Sequence, residues 1–68
     1  MSDLETRVLA AVAEYGRTRE AVLAATNCLD RGQGSFSEMR VRNGAWLAAR
    51  DRLDQLAGEY VLARAWSA

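Results

Sequence analysis

Proline, histidine and lysine are absent from the 68 residues, cysteine occurs once, and nine arginines balance nine acids to a formal charge of zero. Each absence excludes something. Without histidine the usual general acid–base group and the commonest zinc ligand are missing, and Cys28 has no second cysteine with which to close an intrachain disulfide. Balanced charge with no basic run removes the sequence-independent attraction to phosphate that nucleic-acid binders use, so no nucleic acid is expected as a partner. The longest apolar run, Val8 to Ala13, is six residues, against the ~18 that a membrane span needs. Asp3 and Glu5 stand where a secretory leader would carry positive charge. The expectation is a cytoplasmic chain with no membrane insertion.

Chemistry is equally thin. There is no phosphate-loop pattern, and Gly32-Gln33-Gly34 is too short to cradle a nucleotide. Asp51 and Asp54, beside Arg50 and Arg52, read as solvated ion pairs on a helix rather than as an acid–base pair. Cys28 reads as a packed thiol. No catalytic residue, metal, cofactor or small-molecule substrate is expected, and the chain is not an enzyme on this reading.

What is present is helix. Half of the chain is apolar, and turn residues cluster only at Gly32-Gln33-Gly34-Ser35, so the spacing predicts a single domain over 1–68. It consists of a first helix over about 3–31, a turn over 32–35 and a second helix over about 36–65. Ser2 with Glu5 and Ser35 with Glu38 have the three-residue spacing of a capping box, and Gly32 suits a left-handed stop.

In the first helix Leu4, Val8, Ala11, Tyr15, Thr18, Val22, Ala25 and Leu29 step alternately by four and three, as a coiled-coil seam does. Met39, Asn43, Trp46, Arg50, Leu53, Ala57, Tyr60 and Arg64 repeat the pattern in the second. Folding the chain at Gly34 pairs the two series, Val22 with Trp46, Tyr15 with Leu53, Leu4 with Arg64. The fold class is therefore all-α, an antiparallel two-helix hairpin. Within it Arg50 is expected to snorkel and pair with Asp54, and Asn43 to fix register.

One seam does not use all the apolar residues. Leu9, Val12, Leu23 and Leu47 lie on one side, with Val61 at the seam edge. Ala10, Ala21, Cys28, Ala45, Ala49, Leu56 and Ala63 lie on the other, and Trp66 falls on an outward arc with Val41 and Leu62. A chain this short buries only ~60% of its unfolded surface and spends ~1.5 kcal/mol on ordering each residue, so a lone core is marginal. The candidate partner-binding residues are Leu9, Val12, Leu23, Leu47, Leu56 and Trp66. The occupant is another helical protein or a second copy completing a four-helix bundle, like small plasmid or phage regulators and scaffolds.

The layout also resembles the smallest co-chaperones of the type III secretion export apparatus. Shared features are Leu4-Glu5 near the start, Arg31-Gly32 closing the first helix, Phe36 opening the second, and the stretch from Arg42 to Ala45 leading into an apolar segment. The resemblance implies a cytoplasmic hairpin that packs on a helical-repeat partner and, with it, keeps a needle subunit soluble.

Overall fold

The computed structural model describes residues 3–67, with side chains to Ala65, and consists of helix α1 (Asp3–Asp30), a turn over 31–35, and helix α2 (Phe36–Ser67). Proline-free, alanine-rich segments sustain both helices, and the turn chemistry separates them. At the end of α1 the amide of Gln33 donates to the Cys28 carbonyl at 2.7 Å and that of Gly32 to the Leu29 carbonyl at 2.9 Å. This is the paired closure of a Schellman stop, with Gly32 at φ 75° in the left-handed position that a Cβ disfavours. Ser35 then caps α2, its Oγ accepting from the Glu38 amide at 3.1 Å. The Glu38 carboxylate is held forward by Arg42 at 2.8 Å, an i,i+4 ion pair. The expected box at Ser2 lies outside the described residues.

The molecule is a rod, 53 × 17 × 14 Å, with a radius of gyration of 15.6 Å; a compact chain of this length would have about 11 Å. The α1 seam is as expected: Leu4, Val8, Tyr15, Thr18, Val22, Ala25 and Leu29 are half-buried and Ala11 is buried. Thr18 tolerates its place because its hydroxyl donates to the Glu14 and Tyr15 carbonyls one turn back, at 2.9 and 3.0 Å.

Helix α2 departs from expectation. Of its expected seam Met39, Asn43, Trp46, Leu53, Ala57 and Tyr60 are half-buried, but the buried positions are Ala49 and Leu56, and Arg50 and Arg64 are exposed. The helix is thus turned toward Ala49 and Leu56. Burying the Arg50 guanidinium would cost far more than burying a methyl group, and Leu56 removes more apolar area from water than Ala57. Leu56, expected on an open flank, is only 4% exposed and is corrected to a core residue. Arg50 does not pair with Asp54; it lies 3.9 Å from Asp51 and stacks over the Trp46 ring, 5.8 Å from its centroid. Arg64 folds back over Tyr60, donating to its hydroxyl at 3.3 Å.

The register is corrected as well. The Trp46 ring meets Tyr15, with centroids 6.3 Å apart, one heptad from the Val22 partner that folding at Gly34 implies. The cause is the turn. Gly34, itself at φ 83°, already packs back on α1, where a Cβ added to it would lie 3.4 Å from Cys28 Cβ. The chain therefore reverses before Gly34 rather than at it.

Candidate interaction surface

Only three apolar side chains, Ala11, Ala49 and Leu56, are buried among the described residues. Two of them are alanines, so the hairpin has a seam and no true core. What remains outside differs sharply between the two sides.

The alanine side is narrow and roofed by charge. Ala10, Ala11 and Ala49 line a shallow groove rimmed by Glu14, Arg17 and Arg52, and Arg17 bonds Glu14 across one turn at 2.6 Å. Nearer the turn, Ala24, Ala25, Cys28 and Gly34 line a second groove closed by Ser35, Glu38 and Arg42, where the Glu38–Arg42 pair sits. The stems of these arginines shade the alanines, and small side chains leave little apolar area to gain by further burial.

The opposite side carries larger apolar side chains. Leu9 is 56% exposed, Val12 49% and Leu23 43%, and helical spacing places them on one edge of α1. Across the seam on α2, Leu47 is half-buried and Val61 is exposed on the same side. The rotation of α2 that buries Ala49 and Leu56 is what turns Val61 and Arg50 outward. Of the six residues expected to bind a partner, the structure thus brings Leu9, Val12, Leu23 and Leu47 to one side and removes Leu56. The side chain of Trp66 lies outside the described residues. Phe36, at the start of α2, is exposed and joins this side by helical spacing; it carries a signal in the sequence, a large aromatic one residue after a cap, that the seam analysis does not use. Val41 and Leu62 are exposed on the outer arc of α2.

Between the helices Trp46 marks the middle. Its ring lies against Tyr15 and under the Arg50 guanidinium, and its Nε1 is buried with no hydrogen-bond partner. Such a group costs roughly 1–3 kcal/mol.

Among the described residues no three His, Cys, Asp or Glu side chains gather as a metal site would require, and no described helix is long and apolar enough to cross a membrane. Comparison with protein-family models, curated proteins and solved structures finds no match.

Proposed function

We propose that this chain is a non-enzymatic protein–protein interaction module, one half of a helical bundle whose open side is completed by other helices. The observation that carries the reading is the contrast between three buried side chains and the exposed Leu9, Val12 and Leu23 aligned on one side with Leu47 and Val61. A hairpin spends backbone entropy on 60 helical residues, the 28 of α1 and the 32 of α2. One alanine-rich seam returns little against a total stability of only ~5 kcal/mol for a small domain. Covering the apolar side supplies the missing burial.

The resemblance to type III secretion co-chaperones supports a specific form of this role in the cytoplasm, with a different helical protein on that side. A homodimeric four-helix bundle, serving as a small regulator or scaffold, is the second form.

The test is a thermal melt followed by circular dichroism over a hundredfold dilution, for the native chain and for Leu23→Glu. Association raises the melting temperature with the concentration of whatever binds the folded state. Placing a charge in the contact is expected to cost ~2–4 kcal/mol of association. A high melting temperature, independent of concentration, with no partner present and unchanged by Leu23→Glu, overturns the reading.

A further inference from the structure

We draw no further inference here: the strongest candidate, the open apolar side formed by Leu9, Val12 and Leu23 of α1 with Leu47 and Val61 of α2, is an unpartnered face, and nothing in the structure shows what covers it.

Discussion

Gly32 and Gly34 sit at φ 75° and 83°, a region where a Cβ crowds the following carbonyl. Gly32→Ala is therefore expected to cost ~1–2 kcal/mol, read as a drop in melting temperature at fixed concentration. Gly34→Ala carries the same strain and must also seat a methyl group 3.4 Å from Cys28 Cβ. The helical glycines behave oppositely. Gly44 and Gly58 have open space where a Cβ would stand, so alanine at either is expected to raise stability by up to ~1 kcal/mol in the same melt. Trp46 is a third case, because its ring packs while its N–H is orphaned. Trp46→Phe is expected to cost less than ~1.5 kcal/mol, loss of ring volume being offset by relief of the unpaired donor; Trp46→Ala, which keeps neither, is expected to cost ~3–5 kcal/mol. A loss above ~1.5 kcal/mol for Trp46→Phe would show that the orphan donor carries no penalty.

Between elements, the cap and the seam set the energetics. Ser35→Ala removes the acceptor for the Glu38 amide and is expected to cost ~1 kcal/mol of helix stability. Leu56→Ala, at a 4% exposed position, is expected to cost ~2–4 kcal/mol, against less than ~0.5 kcal/mol for Leu62→Ala on the outer arc; denaturant midpoints measured in parallel check both. Two helices, their turn and the whole α1 stripe were legible in the sequence, because heptad spacing there admits one solution with apolar residues at every inward place but Thr18. In α2 the same stepping admits two, through Ala49 and Leu56 or through Arg50 and Ala57, since neighbouring residues in an alanine-rich helix fit almost equally well. The charge on Arg50 and the size of Leu56 are what choose, and they are energetic criteria rather than periodic ones. Register was illegible for a different reason: counting back from Gly34 treats the turn as a point, whereas the stop at Gly32 and the packing of Gly34 on Cys28 use up chain before the helices run side by side. Of the open side, Leu9, Val12, Leu23 and Leu47 followed from helical spacing alone, while Leu56 was lost to the rotation of α2.

At the scale of the whole molecule the rod has almost no interior among the described residues, and on the proposed reading its stability depends on what covers its open side. Hydrogen exchange on the full chain is expected to be slowest around Ala11, Trp46, Ala49 and Leu56, the buried and half-buried middle, and to slow further as concentration rises. Protection that is uniform along both helices and indifferent to concentration would contradict this. The turn has a kinetic consequence too. Cys28 and Gly34, close together in space, are six positions apart in sequence, whereas Tyr15 and Trp46 are thirty-one apart. Chain closure therefore becomes steadily longer from the turn toward the open end. Such a molecule is expected to fold as a zipper, nucleated at Gly32 to Ser35 and advancing outward, and to fray first at Leu4 and Tyr60. Helices held together at one end and loose at the other can spread to admit a second pair without undoing the turn.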